Sequence, residues 1–464
     1  MPSAEAALRE PALSRAEVLG AGLCIGCGAC SARMALDAHG LYRPDAPPAR
    51  MRRPSATLAR ICPFSPHAAD ETRLAAARFP AAPGHDDRLG RFEAAYVGAV
   101  AEGGFRDAGS SGGMVSWVAA ELLRAGLVDG VAHVAPAPAP GPRFAYRIAR
   151  SLPEIGAGAR SRYYPVELSG VLAEIRATPG RYAVVGVPCF VKAIHLLRAA
   201  EPLLAERIAF TLGLFCGHMK SARMIESFAW QMGTELDRAS RIDYRTKAEG
   251  RPANWYVAEL GLRDGRTVSR HWWDMADGDW GAGFFQSPAC DACDDVVAET
   301  ADVAFGDAWV EPHSSDPRGT NVVVVRDSTV LSLIEAARAD GRLALDPVSA
   351  DFVAGTQAAG LRHRREGLAY RLTWRWRWRG LQPRKRVLPR ADGLPLRRRL
   401  VYRARAANAV WSHRVFRLAR ALRLPGLYLL WARAALATYQ GLTWSRGRLG
   451  RLIDRLLPAE HRSP

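Results

Sequence analysis

Residues 94–134 read AAYVGAVAEGGFRDAGSSGGMVSWVAAELLRAGLVDGVAHV, and this run decides the fold class. Residues 94–101 (AAYVGAVA) form an apolar strand. Residues 106–113 (RDAGSSGG) form a loop, and 114–125 space their apolar side chains at helical intervals up to a stop at Gly126. Residues 128–134 (VDGVAHV) are a strand again. Strand, glycine loop, helix and strand in that order define α/β character. A glycine loop at a helix start offers backbone N–H groups and the positive end of the helix dipole, which suits a phosphate. Residues Gly109–Gly113 also satisfy G-x-S-x-G, the nucleophile-elbow pattern of hydrolases. The strand does not run directly into that turn and no His/Asp pair is marked out. A plain glycine turn with a helix cap is the simpler alternative.

Working outward, 182–187 (YAVVGV) is a buried-type strand ending at Pro188-Cys189, followed by a helix carrying Lys192 and His195. Residues 208–215 are another strand, ending at Cys216-Gly217. Both cysteines sit just past the carboxyl ends of strands, where α/β sheets place their ligands. A helix is expected over 222–232, antiparallel strands over 240–275, a strand over 322–325 and a helix over 328–339. Cys290-Asp291-Ala292-Cys293 supplies a C-x-x-C pair. With Cys189 and Cys216 it makes four candidate metal ligands, against the alternative of four buried structural cysteines. Asp294, Asp295, Asp302 and Asp307 are expected at caps and turns. His218 and Lys220 are expected on the surface, with assistance to proton transfer as the alternative.

Near the N-terminus, Cys24-Ile25-Gly26-Cys27-Gly28-Ala29-Cys30 sets three cysteines at a spacing of three, and Cys62-Pro63 offers a fourth. Four thiolates so spaced, with Pro after the last, suit a [4Fe-4S] cluster. The glycines let the backbone wrap the inorganic core and direct N–H groups to its sulfurs. A zinc knuckle is the rival, although zinc usually takes paired C-x-x-C elements. Residues 1–20 are expected as a helical lead-in, 42–54 as a Pro/Arg-rich loop, the stretch ending near Arg78 as helix and 80–90 as a linker.

The eight cysteines do not form an extracellular disulfide framework. No signal peptide and no membrane-spanning apolar run are visible. A reducing cytoplasm is the expected compartment. Of the net charge of +18, the tail accounts for all: residues 361–464 hold 26 Lys/Arg against 4 Asp/Glu, leaving 38 against 42 in the rest. The tail alternates Trp and Arg over 374–379 and carries an apolar, Arg-dotted helix over 424–442. It suits the anionic inner face of a membrane, or packing on the body or an acidic partner. A nucleic-acid partner is not expected, because no recognised nucleic-acid fold accompanies the arginines.

Several of these motifs, in order, resemble the coenzyme F-420 hydrogenase/dehydrogenase beta-subunit family. They are Ser111-Gly112-Gly113 opening a helix, Val128-Asp129-Gly130-Val131, Ser161-Arg162-Tyr163, Gly186-Val187-Pro188-Cys189, Phe215-Cys216, Cys290 to Asp295, and Ala301-Asp302 with Gly306-Asp307. The resemblance covers roughly 90–365, with the ferredoxin-like segment in front as in many members. It implies an FAD-binding domain and one [4Fe-4S] cluster on Cys189, Cys216, Cys290 and Cys293, hence two clusters in the chain. It also implies that Ser111, Gly112, Gly113, Arg162 and Tyr163 surround the flavin; members commonly carry Lys where Arg162 stands.

The expected organisation is therefore a ferredoxin-like iron–sulfur segment over 1–85, a mixed α/β domain for FAD and a second cluster over 90–365, and a basic helical extension over 366–464. The expected activity is that of an oxidoreductase taking electrons from a ferredoxin-type partner through the clusters to FAD. The resemblance offers a deazaflavin coenzyme, the vinyl group of a chlorophyll precursor, or a polysaccharide-pathway compound as substrate. A non-catalytic electron-transfer subunit of a larger complex is the alternative.

Overall fold

The structure, a computed structural model, describes residues 10–30, 33–138, 141–248, 250–374 and 380–456. Most of the Trp/Arg alternation, 375–379, and the first nine residues of the lead-in lie outside the described residues.

Eight strands build the main sheet, in the order Leu343–Pro347, Ala94–Val100, Asn321–Val325, Val303–Asp307, Ile208–Leu214, Tyr182–Gly186, Gly130–Pro136 and Phe144–Ala149. Five of them, starting at 94, 303, 208, 182 and 130, run the same way. Their carboxyl ends open on one edge. The near-continuous apolar runs expected of strands buried on both faces are what the sequence supplies: Val322 to Val325 and Ala183 to Val184 have no exposed surface.

On one face pack the helices Met114–Arg124 and Ser328–Ala339, through Trp117, Val118, Val330 and Ile334. On the other lie Ser169–Ala177 and Pro188–Ala200. The N-terminal cysteine segment is laid over this second face, with Val18, Leu23, Ile61 and Phe64 sharing a core with Phe190 and Ile194. A separate three-stranded antiparallel sheet, Ala239–Thr246, Val257–Leu262 and Thr267–His271, fills most of the expected 240–275 span.

Two expectations change, and one open reading narrows. The Pro/Arg-rich loop at 42–54 contains the strand Tyr42–Pro44 and the helix Pro48–Arg52. The expected linker at 80–90 is a hairpin, Gly84–Asp86 with Gly90–Phe92, pinned by fully buried Leu89. The Arg326 guanidinium donates to the Leu89 and Arg91 carbonyls across it. The reading that narrows concerns the tail. Helices Leu396–Ala421 and Pro425–Trp444 turn Val401, Phe416, Tyr428 and Ala432 into a core shared with Trp272, Phe284 and Phe285. The Phe285 N–H donates to Ser412 Oγ (2.8 Å) and the Tyr428 hydroxyl to Asp277 (2.9 Å). Of the readings open for the tail, packing on the body describes this inner face. No helix among the described residues is long and apolar enough to cross a membrane.

Candidate functional site

Cys24, Cys27 and Cys30 follow the short helix Arg15–Gly20, whose start is closed by a reciprocal Ser14–Glu17 capping box. Gly26 and Gly28 both take φ of +77°. A Cβ at Gly26 would meet the Tyr42 carbonyl at 2.5 Å, and at Gly28 the Ser169 backbone nitrogen at 2.9 Å. Here glycine is required both by the left-handed turn and by the closeness of the neighbouring chain. Arg15 donates to the Cys30 carbonyl (2.7 Å) and Arg43 to that of Cys24, while the Leu168 N–H donates to the Cys27 carbonyl (2.9 Å). Cys62 ends the helix Ala56–Ile61 and returns to the triplet. All four thiols line one cavity walled by Val18, Leu23, Leu58, Ile61 and Phe64. Burial first, then the neighbouring sulfurs, pushes Cys27 well up and Cys62 up to about 12.

The second set forms at the carboxyl edge of the sheet. Cys189 is the second residue of Pro188–Ala200, and Cys216 stands two residues past the end of Ile208–Leu214. Cys290 lies within the 3-10 turn Pro288–Ala292, and Cys293 closes it. The four face one another: burial raises the Cys189 thiol well above its usual value, and Cys293, Cys216 and Cys290 add to the rise. Cys290 is pushed up to about 11, burial again leading. The Met219 N–H donates to Cys290 Sγ at 3.2 Å. Among the described residues, no three Cys, His, Asp or Glu side chains are gathered as one metal ion requires. A cubane holds its four ligand sulfurs farther apart than a single ion does, because four irons stand between them.

The two sets are neighbours. Cys27 and Cys189 pack against the same core, Cys27 adds slightly to the rise at Cys189, and both act on Tyr146. The Tyr146 hydroxyl donates to the Val185 carbonyl (2.8 Å), and its ring stacks on Phe190.

Cations converge on the second set. Arg364, 2% exposed, donates to the carbonyls of Cys290 (2.7 Å), Cys293 (3.4 Å), Cys216 (3.4 Å) and Gly217. It has no carboxylate partner among the described residues, and its Nε is buried without a hydrogen bond. Arg371 donates to the Asp291 carbonyl (3.0 Å), and Lys385 pairs with Asp294 (3.1 Å). Arg386 pairs with Glu299 (2.5 Å). Asp295 does cap a turn, accepting from the Val297 and Glu299 N–H groups. Asp302 instead binds Thr211 (2.7 Å) and Arg78 (2.9 Å), and Asp307 pairs with Arg245 (2.8 Å).

His218 and Lys220 are not on the surface; each is 3% exposed. His218 stacks on Trp280 at 4.3 Å, and Lys220 Nζ lies 4.8 Å from the same ring while donating to the Phe284 carbonyl (2.6 Å). Burial, aided by Arg405, pulls Lys220 down to about 7. Nothing in the local pattern Cys216-Gly217-His218-Met219-Lys220 signals this, since the covering side chains come from 280 and 405.

The five residues expected around a flavin are drawn together by a loop-to-loop bond: the Ser161 N–H donates to Ser110 Oγ (2.9 Å). Gly112 and Gly113 are held against chain rather than open to it. A Cβ on Gly112 would meet the Gly98 carbonyl at 2.8 Å, and Gly113 has φ +84°. The Met114 N–H, first of the helix, is taken by Asn321 Oδ1 (3.1 Å), and Ser111 Oγ donates to the Thr320 carbonyl (3.1 Å). Arg162 donates one bond, to the Ala159 carbonyl (2.9 Å), and lies over Phe144. Its Nε and one terminal nitrogen are buried without partners. Tyr163 meets Tyr244, Trp272 and Trp280 edge-on or tilted. Sequence reasoning passed over two cations beside this loop. Arg245 lies over the rings of Tyr256 (4.3 Å) and Trp309 (5.2 Å). Lys247 donates to the Arg106 carbonyl (2.5 Å) and is pulled by burial down to about 8. Their only signal was their position at the end of the strand Ala239–Thr246.

A mixed sheet, with five of its eight strands running the same way, carries thiols at one side of its carboxyl edge and the partly unpartnered guanidinium of Arg162 at the other, and the molecule is an α/β protein. Two family models match it, both of the coenzyme F420 hydrogenase/dehydrogenase beta subunit: the N-terminal model over residues 95–173 and the C-terminal model over residues 180–351. The chain belongs to this family, whose members are electron-transferring oxidoreductases. None of the curated proteins matches it. Among solved structures it is similar to a chain of the F420-reducing [NiFe] hydrogenase complex from Methanosarcina barkeri, solved for xenon derivatization. The TM-score is 0.49 at 18% identity, over 63% of this chain and 96% of that one.

Proposed function

We propose that the protein is an oxidoreductase carrying two [4Fe-4S] clusters and FAD, which passes single electrons inward from a redox partner such as ferredoxin. Cys24, Cys27, Cys30 and Cys62 are the ligands of the outer cluster; Cys189, Cys216, Cys290 and Cys293 are those of the inner one. The observation that carries this reading is that both thiol sets pack against one core, with Cys24, Cys27 and Cys62 of the first set and Cys189, Cys290 and Cys293 of the second around Phe190 and Ile194. Buried thiols with raised pKa values ionise only when a metal takes the place of the proton. Arg364, buried without a carboxylate, supplies the positive charge that four thiolates around a cluster call for.

Arg162, with two unpartnered donors, suits a phosphate or an isoalloxazine oxygen. With Ser111, Gly112, Gly113 and Tyr163 it forms the proposed flavin contact, next to Lys247. Bound FAD supplies the exchange between one-electron and hydride-level chemistry. The chain's own part is to exclude water with Tyr163, Trp272 and Trp280 and to fix charge with Arg162, Arg364 and Lys247. The organic substrate is proposed within the classes the family resemblance offers, and the compartment is proposed to be the cytoplasm, where thiols stay reduced.

The test is anaerobic purification followed by an absorption spectrum and quantitation of iron, sulfide and flavin. About eight irons and about one flavin per chain are expected. Iron without flavin would sink the catalytic reading and leave a non-catalytic electron-transfer subunit. Zinc in place of iron and sulfide would overturn both.

A further inference from the structure

The inner faces of helices Leu396–Ala421 and Pro425–Trp444 are used up by the body, but their outer faces are not. Trp411, Leu418, Leu422, Leu424, Leu427 and Leu430 are exposed, Leu430 to 71%. Positions 411, 418 and 422 share one face of the first helix, and 427 and 430 share one face of the second. The two stripes meet at the turn between the helices. Isolated surface leucines need no explanation, but a contiguous group is a place for an apolar cover. Around it stand Arg414, Arg417, Arg420, Arg423 and Arg433, all exposed, although Arg420 also pairs with Glu226 of the body at 3.5 Å. Residues 396–456 contain fourteen Arg and a single carboxylate, Asp454, which is paired with Arg397 (2.6 Å).

Leucines give no directional recognition, and the stripes offer no acceptor that a protein partner would pair with. Arginine lays its stem along an apolar surface and sends its head to phosphates. No helix among the described residues is long and apolar enough to span a bilayer, so the pair suits a position lying on one. We infer that the turn between Leu396–Ala421 and Pro425–Trp444 rests on an anionic lipid bilayer. Leu422, Leu424, Leu427 and Leu430 enter the acyl boundary, and Arg417, Arg420 and Arg423 meet lipid phosphates. The inference stands whatever the thiol sets bind, so its failure and that of the cofactor reading are separate events.

The experiment is vesicle flotation of the full chain, purified anaerobically. Vesicles are phosphatidylglycerol mixed with phosphatidylcholine, or phosphatidylcholine alone. Co-flotation with the anionic vesicles only, weakened by salt, is expected. Replacing Arg417, Arg420 and Arg423 together with Gln lowers partitioning by about a hundredfold, at about fivefold for each arginine. Leu422→Glu with Leu427→Glu abolishes it, while circular dichroism and the unfolding midpoint are unchanged because both side chains are exposed. No flotation, or equal flotation on neutral vesicles, overturns the inference. So does a solution dimer that the glutamate variant dissolves, which would make a second copy the cover, or a stoichiometric acidic protein lost in the same variant.

Discussion

The Arg364 guanidinium donates to the backbone carbonyl of Cys290 over 2.7 Å and also reaches the carbonyls of Cys293 and Cys216 of the same thiol set and of the adjoining Gly217. A cation fixed so close to thiolates favours the more negative, reduced state of whatever they ligate. Arg364→Gln is therefore expected to shift the midpoint potential of the inner cluster to more negative values, read by an EPR-monitored redox titration. Arg364→Lys restores part of the shift. An unchanged midpoint would leave Arg364 a merely structural cross-link.

The two thiol sets are separable by single substitutions. Cys27→Ser removes a ligand from the outer set and Cys189→Ser from the inner one, and each is expected to lower bound iron by about half. Flavin content holds in Cys27→Ser. Complete loss of iron from either variant would mean that the sets do not fill independently.

Arg162 spends one hydrogen bond on Ala159 and holds two buried donors in reserve. Removing a charged donor from a bound anion costs about 1.5 to 3 kcal/mol, or roughly tenfold to a hundredfold in affinity. Arg162→Ala is expected to weaken FAD binding by that factor in a fluorescence titration of flavin-stripped protein. Equal affinity would move the flavin elsewhere.

Acid should loosen the fold through histidines that are buried uncharged. Burial, with Arg198 and Arg78 nearby, pulls His195 down to about 3. Burial pulls His413 down to about 4, against the Gln286 carbonyl that accepts from its Nε2 (3.2 Å). Unfolded histidine takes its proton near 6.5. Between that value and 4 the unfolded chain binds more protons, so stability present at neutral pH falls as the pH drops. The loss is on the order of 2 to 3 kcal/mol per histidine. Denaturant unfolding at pH 7 and pH 5 checks the sign, and His413→Gln should flatten the slope.

The alternation of strands and helices was open to reading because each strand is buried on both faces and each helix on one, which writes a local period into the chain. Ser328–Ala339 was expected and found at the same bounds. The thiols could be grouped because Cys189 and Cys216 follow strands that end on one edge. What stayed hidden depends on partners distant in sequence. Arg364 and Arg371 look like surface charges until carbonyls of Cys290 and Asp291 are seen to receive them. His218 and Lys220 are covered by Trp280 and Arg405, from elements some 60 and 190 residues away. The hairpin that begins at Gly84–Asp86 reads as a linker because its composition is that of a turn, while Leu89 alone decides where it sits. The glycines of 111–113 were expected to free N–H groups for a phosphate; the closeness of Gly98 and Asn321 gives them a steric reason as well.

The cover over the inner thiol set also has a place in time. Cys189, Cys216, Cys290 and Cys293 leave the ribosome before Arg364, Arg371, Lys385 and Arg386, the side chains that close over them. Until that later stretch has been synthesised and has docked on Asp294 and Glu299, the four thiols lack their final enclosure. A chain truncated before residue 364 would lack Arg364, Arg371, Lys385 and Arg386 altogether and so leave the four thiols without that enclosure.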